Sequence, residues 1–384
     1  MMVGWRHAFA GAIGVSTAGL LGVVLAGQAA APSSQMAEAV FKDVQVLRGM
    51  PADEFLDTMG MFAAATAKDC SGCHNPDILK GVKEAFALPT PQLQIARRMV
   101  RMVNEINKNH FGTQKVTCYT CHQGRPVPNA MPNLAQQYGE PPDDNPNTLE
   151  FFPAPGATPA QIDELFGKMV QYLGGTAGLA KRTSLVAKGT YAGWDTAFGE
   201  VPIEIYVKAP NQLTTIVHRK EGVNNTVFDG KSAWFAGIDS AVPELTLELT
   251  GGSLAGLGSD ALVMLTPHQI KQAYTRWQLG EDLVDEKPVL TLLGSTGNRL
   301  PIKLFVDENT GELIRYMRWR ETGVGTIPIQ YDYSDYRDVA GTKVPFKWTR
   351  TWTNNKAFFK LSDAQVNVAI DAARFAKPAP VAKK

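Results

Sequence analysis

The sequence contains two copies of one five-residue pattern, Cys70-Ser71-Gly72-Cys73-His74 and Cys118-Tyr119-Thr120-Cys121-His122. Together they use all four cysteines of the 384-residue chain and two of its six histidines. This pattern is the attachment signature of haem c. Two thiols separated by two residues can form thioethers with the two vinyl groups of one porphyrin, and the next histidine becomes an iron ligand. The sequence therefore predicts two covalently bound haem c groups.

Three other uses of four cysteines compete with this interpretation. The cysteines of an exported protein could form two disulfides, each Cys-x-x-Cys pair could be a redox dithiol, or both pairs could bind zinc. None of these uses requires a histidine directly after the second cysteine. Because that histidine occurs twice, as His74 and His122, haem attachment is favoured.

The sixth iron ligands are predicted from the segments that precede each motif. A helix is expected from Pro51 to about Thr66, and its apolar positions follow the helical period. Met59 lies on this apolar stripe. Met61 points about 200° around the helix from it. Met59 is therefore the predicted sixth ligand of the first haem.

A second helix is expected from Thr90, as N-cap, and Pro91 to about Asn109. One face carries the apolar residues Ile95, Met99, Met102, Val103 and Ile106. The helical period alone does not choose between the two methionines. Methionines on an apolar stripe are most often core fillers, but a methionine-bearing helix before each haem motif favours a ligand role.

At these residues the chain resembles the tetrahaem cytochrome subunit of photosynthetic reaction centres. The matching stretches are 44–47, 54–59, 96–99, 106–107, 116–122 and 124–128. In that family the methionine of each helix ligates the iron of the haem attached next. The resemblance therefore implies Met59 for the haem on Cys70 and Cys73. It implies Met99 for the haem on Cys118 and Cys121.

The resemblance covers roughly residues 40–130. The family's second half, with two further haem motifs, has no counterpart here, and neither has its lipid-bearing cysteine. In the family, a histidine at the position of His110 reaches a haem held by that second half. For His110 three roles stay open: an exposed residue at the helix end, a sixth ligand instead of Met99, or a ligand to a haem in a partner molecule.

Three arginines, Arg97, Arg98 and Arg101, lie beside Met99. Three roles are open for these arginines: they form a solvated helix face, they pair with haem propionates, or they dock an acidic partner.

Residues 1–31 are predicted to be a signal peptide. Arg6 and His7 form a short basic start, residues 8–26 are apolar and uncharged, and residues 27–31 offer small side chains for cleavage. An uncleaved membrane anchor is the alternative, because residues 8–26 are nearly long enough to span a bilayer. The expected location is the periplasm, with membrane association if the segment is retained.

The composition of the remaining sequence predicts how the chain is divided into domains and linkers. Residues 32–130 form the predicted dihaem cytochrome domain, and residues 131–158 form a proline-rich acidic linker. Residues 159–376 are expected to contain one amphipathic helix, 159–172, followed by strands with period-two alternation. Residues 377–384 are a tail. The predicted fold class is a mainly α dihaem domain followed by a mainly antiparallel, curled, half-barrel-like β domain.

The turn at Val227-Phe228-Asp229-Gly230, followed by Trp234, resembles the half-barrels of outer-membrane lipoprotein carriers. His218, on the polar face of a strand, and His268, at a helix start, are predicted to be surface residues rather than ligands.

A formal net charge of +1 argues against nucleic-acid binding. The sequence predicts an electron carrier rather than an enzyme. Its partners are redox proteins, among which a membrane-bound reaction centre or respiratory complex are candidates. The alternatives are a dihaem peroxidase, which needs one iron with an open sixth position, and a redox sensor or carrier whose β domain binds an apolar ligand. The oligomeric state is left open.

Overall fold

A computed structural model describes residues 35–112, 115–131, 154, 157–238, 246–297, 299–353 and 355–381. The predicted signal peptide and nearly all of the predicted linker lie outside these residues. Within them, none of the helices has the length and apolar character needed to cross a membrane. The division of the chain into segments stays a prediction.

The haem region, residues 35–131, is helical. Its helices are α1 Ala37–Val40, α2 Ala52–Thr66, α3 Pro91–His110 and α4 Cys118–His122. Helix α2 starts after Pro51 and ends where Ala67 adopts a left-handed conformation. The hydroxyl of Thr90 accepts a hydrogen bond from the Leu93 amide and caps α3. Both predicted helices are confirmed to within one residue at each end.

Two further helices, α5 Pro159–Tyr172 and α6 Gly175–Ala180, precede the sheet. A reciprocal capping box between Thr158 and Gln161 starts α5. Its predicted bounds are confirmed.

The described residues then form a 13-stranded antiparallel sheet in the order β6-β5-β4-β3-β2-β1-β13-β12-β11-β10-β9-β8-β7. The strands are β1 Ser184–Gly193, β2 Val201–Lys208, β3 Gln212–Arg219, β4 Gly222–Phe228, β5 Ala233–Ala236, β6 Leu247–Leu249, β7 Arg276–Val284, β8 Lys287–Thr296, β9 Arg299–Val306, β10 Leu313–Thr322, β11 Gly325–Val339, β12 Thr342–Trp352 and β13 Asn355–Val366. The predicted fold class, a mainly helical part followed by a mainly antiparallel sheet, is confirmed.

Two helices, α7 Gly251–Leu265 and α8 Ile270–Ala273, connect β6 at one edge of the sheet to β7 at the other. Helix α7 contacts both β3 and β10, which are six strands apart. In a flat sheet this separation would be about 29 Å at about 4.8 Å per strand. Helix α7 is about 22 Å long at about 1.5 Å per residue, and it contacts β2, β3, β4 and β10 more than the strands that lie between β2 and β10. A flat sheet would bring those central strands closest to the helix, so the sheet is curled around α7.

A buried ion pair fixes α7 to the sheet. Arg318 of β10 donates to both carboxylate oxygens of Asp260 at 2.8 and 2.9 Å, and the Tyr331 hydroxyl donates to the same carboxylate at 2.8 Å. A Cβ atom at Gly256 would lie 2.1 Å from the Arg318 guanidinium. This glycine is therefore required for the close approach of helix and arginine.

The haem region is joined to the sheet through α2. Asp53 accepts hydrogen bonds from the amide and the hydroxyl of Thr250, at 2.6 and 2.9 Å. Asp57 pairs with Arg320 of β10 at 2.6 Å. Burial raises the pKa of Asp57 to about 6, although the Arg320 charge opposes the shift. The junction is thus polar, buried and charge-paired.

The substitution Asp260→Asn should destabilise the protein by about 3 kcal/mol, because it leaves the buried Arg318 charge without its counter-charge. The matched control is Asp335→Asn, which breaks a pair with Arg337 that solvent screens and should therefore cost much less. Urea unfolding followed by circular dichroism measures both. Equal costs for the two variants would contradict the assigned role of the pair.

Candidate haem sites

The first motif folds as a 3₁₀ turn, Cys70–Gly72, capped by Asp69, whose side chain accepts a hydrogen bond from the Gly72 amide. His74 follows, and its Nδ1 lies 2.8 Å from the carbonyl oxygen of Phe86. A carbonyl oxygen can only accept, so Nδ1 carries the proton. The lone pair of Nε2 is therefore available to a metal.

The second motif forms helix α4, which starts with a capping box between Thr117 and Thr120. The Nδ1 of His122 lies 2.9 Å from the carbonyl oxygen of Arg125. By the same argument, Nε2 of His122 is left as the ligand atom. Both histidines thus have the orientation and tautomer that second-shell hydrogen bonds give to metal-bound imidazoles.

The directions in which burial shifts the pKa of the site residues fit haem attachment better than a redox dithiol. Burial lowers the pKa of His74, which keeps the imidazole neutral, as an iron ligand requires. Burial raises the pKa of the Cys73 and Cys118 thiols, the opposite of the shift in a redox dithiol. None of the four cysteines, all of which lie among the described residues, is in a disulfide. In the described part of the chain, no three His, Cys, Asp or Glu side chains are placed to hold a metal ion.

The two methionines of α2 face different surroundings. Met59 lines a cavity together with Cys70, Cys73 and His74. Met61 is buried against Val324 and Ile327 of the sheet. Helix α2 therefore presents Met59 to the first haem motif and uses Met61 to pack. The ligand role of Met59 stays a prediction.

Helix α3 is buried along a stripe that includes Val100 and Val103, whereas Met99 and Met102 are 37% and 43% exposed. The apolar face expected from the sequence is thus divided. One part packs on protein and the other is left open. Met99 lines the same cavity as Met59. His110 ends the helix as an exposed residue.

The predicted site residues converge on one cavity of about 1480 Å³. Its lining contains all of them except Cys121, which is exposed: Met59, Cys70, Cys73, His74, Met99, Cys118 and His122. The cavity continues along the concave face of the sheet, where Ile205, Trp348 and Phe359 line it. Ligands for two haems thus face one continuous space.

The haem region has apolar side chains that its own residues do not cover. Of fourteen large hydrophobic residues exposed in the described chain, ten lie between residues 79 and 131. They are Leu79, Val82, Leu88, Ile95, Met99, Met102, Phe111, Tyr119, Val127 and Met131. A surface this apolar on so short a stretch marks a binding site. The residues present therefore fit a large apolar group such as haem.

The three arginines of α3 separate into two kinds. Arg97 is 6% exposed, lines the cavity, and donates through Nη2 to the side chain and the carbonyl of Asp43, both at 2.8 Å. Its Nη1 is buried without a hydrogen-bond partner among the described residues. Arg98 and Arg101 are exposed.

The acceptors of the two Nδ1 protons, at Phe86 and Arg125, were missed by the sequence analysis. They are backbone carbonyls and have no residue-type signature. Only the local fold brings them to the histidines.

Part of the chain is similar in sequence to known proteins. Residues 20–147 match the family model described as photosynthetic reaction centre cytochrome C subunit. The photosynthetic reaction center cytochrome c subunit of Rubrivivax gelatinosus is 33% identical over 101 residues, which are 25% of this chain and 26% of that protein. The subunit of Thermochromatium tepidum is 33% identical over 111 residues, 26% of this chain and 24% of that protein. The chain spans about a quarter of the length of these relatives.

Among solved structures, a LolA superfamily protein from Nitrosomonas europaea matches 58% of this chain and 99% of its own, with a TM-score of 0.37 and 14% identity. A DUF1329 family protein from Desulfovibrio piger matches 56% of this chain and 97% of its own, with a TM-score of 0.35 and 10% identity. Both TM-scores are too low to define the fold, so the sheet is described from its own strand order. The N-terminal third of the chain is similar to the cytochrome c subunits of photosynthetic reaction centres, and the resemblance found in its haem motifs is confirmed.

Proposed function

We propose that this protein is an exported electron carrier with two covalently bound haem c groups. The observation that carries the proposal is the convergence of both Cys-x-x-Cys-His motifs and both predicted methionines on one cavity. Cytochrome relatives over the same residues support it.

Haem iron, when bound, supplies reversible uptake of one electron. The chain's part is to hold and tune it. The four cysteines would attach the two porphyrins, and His74 and His122 would each present Nε2 to iron. The hydrogen bonds from Nδ1 to carbonyl oxygens fix the ring orientation and raise the basicity of the ligand. Thioether ligation by Met59 and Met99 would raise both reduction potentials.

Filled sixth positions favour electron transfer over a peroxidase reaction, which needs an open position on one iron. Because ligands of both haems line one cavity, the two haems would face a common space. The partners would be redox proteins outside the cytoplasm. The names of the relatives make a photosynthetic reaction centre one candidate, and a respiratory complex is the other.

Protein matured in a host that attaches haem c during export should carry two haem additions by intact mass spectrometry. The double substitution Cys118→Ser, Cys121→Ser should leave one addition, and so should Cys70→Ser, Cys73→Ser. One addition or none in the unsubstituted protein would refute the proposal.

Met59→Ala and Met99→Ala should each lower one of two reduction potentials and remove one sulfur-to-iron charge-transfer band. The expected change is at least tenfold in the reduction equilibrium, or about 59 mV for a one-electron couple. Spectroelectrochemistry measures both effects.

The matched controls are Met61→Ala, which removes a packing methionine from the same helix, and Met102→Ala. Both should leave the potentials and the bands unchanged. If Met102→Ala or His110→Ala shifts a reduction potential and Met99→Ala does not, the substituted residue, and not Met99, is the sixth ligand of the second haem.

A further inference from the structure

The sheet carries a group of exposed aromatic residues that are not predicted haem ligands, although one of them, Trp194, borders the cavity that those ligands line. Among the described residues between 157 and 381, four large hydrophobic side chains are exposed, and three of them are Trp194 at 66%, Phe198 at 48% and Phe358 at 45%. Their ring centroids are 6.2 Å apart for Trp194 and Phe198 and 6.4 Å apart for Phe198 and Phe358. Three of four such residues therefore form one cluster, which we call the aromatic tip.

The loop between β1 and β2 is built to hold these rings outward. Ala197 and Phe198 both have positive φ, 49° and 58°, a conformation that is unfavourable for a residue with a side chain. Hydrogen bonds fix the loop: the Phe198 amide donates to the Gly193 carbonyl at 2.8 Å. The Trp194 amide donates to Asn355 of the neighbouring hairpin at 2.9 Å. Such strain persists where the surrounding structure enforces it, and it is common at functional sites.

Cations border the tip on the outer face of the sheet. Lys356 lies with its Nζ 5.5 Å from the centroid of the Phe358 ring. Lys360 points to the same side of β13, two residues beyond Phe358, and is paired in register with Lys347 of β12. Lys347 is 3.6 Å from Asp335, whereas Lys356 and Lys360 have no carboxylate within 4.0 Å among the described residues. The β1–β2 loop itself carries two acids: Asp195, which accepts a hydrogen bond from the Tyr191 hydroxyl at 2.6 Å, and the exposed Glu200.

We infer that the aromatic tip is a docking surface for an anionic lipid bilayer. Tryptophan and phenylalanine are residues that insert at the membrane interface, and neighbouring lysines attract anionic headgroups. A protein interface normally needs about 800 Å² per partner, which is far more than three adjacent rings provide. A small, strained, projecting tip with a basic border fits shallow insertion better than a protein contact.

The test uses the full-length holoprotein and flotation with vesicles of phosphatidylcholine alone or mixed with phosphatidylglycerol. Trp194→Ala should weaken binding to the mixed vesicles about tenfold, because it removes a large apolar group from the bilayer. Lys356→Gln and Lys360→Gln should each weaken it about fivefold. Raised salt should weaken the binding of the unsubstituted protein.

Leu283→Ala, which removes an exposed apolar side chain from β7, and Lys231→Gln, which removes an exposed lysine from the β4–β5 turn, are the matched controls. Both should bind as the unsubstituted protein does. Because any contribution of residues 1–31 is common to all variants, differences between them report on the tip. An unchanged far-ultraviolet circular dichroism spectrum shows that each variant is folded, and Trp194 is exposed enough to be replaced alone.

Equal vesicle binding by all variants would overturn the inference. The inference would also be overturned if the aromatic tip mediated self-association. Sedimentation velocity would then show a dimer that Trp194→Ala abolishes, while the vesicle binding of this variant stays the same.

Discussion

The fold of the haem region is constrained by large apolar side chains that its own residues leave uncovered. Its buried hydrophobic residues are few and mostly small, such as Ala52, Ala65 and Ala85, whereas large ones including Leu79 and Met99 remain exposed. A segment of about 100 residues normally needs a core of large apolar side chains to fold stably. Covalent haem would provide the missing core. The thioether bonds would also fix where that core sits, so the Cys-x-x-Cys-His motifs specify the structure as much as the chemistry.

Helix α2 also connects the haem region to the sheet. The helix turns Met59 to the cavity, and Asp53, Asp57 and Met61 to the sheet and to the start of α7. Gly325, at the turn between β10 and β11, has a φ of +146°, and a Cβ there would lie 2.6 Å from Thr117. The sheet thus contacts both the helix before the first motif and the residue that caps the second. Changes in its packing can therefore reach both haem sites through the backbone.

The parts of this structure that sequence could predict are those set by local rules. Residue spacing identifies the haem motifs, and caps and periodicity give α2, α3 and α5 to within a residue. The turn after β9 follows from Asp307, whose carboxylate accepts from the amide of Thr310 at 2.7 Å. Long-range arrangements were not predictable. The pairing of β1 with β13 joins residues about 170 positions apart.

Helix α7 is also a case where tertiary contacts override local preference, because its first eight residues include four glycines, which disfavour helix. Its first turn is held by α2, since Asp57 accepts a hydrogen bond from Ser253. Farther along, Gly256 makes room for Arg318. At Gly256, the residue type that disfavours a helix in the sequence is the one that the packing against Arg318 requires.

The strand directions relate the aromatic tip to the haem region. In an antiparallel sheet, the turns after β1, β10 and β12 all lie at one end. The turn after β10 holds the haem region through Gly325, and the turns after β1 and β12 lie beside Trp194 and Phe358. A bilayer bound at the tip would therefore lie at the end of the sheet that carries the haem region. An electron carrier held in this way would meet a membrane-bound partner by diffusing along a surface, with its haem-bearing end already facing that surface.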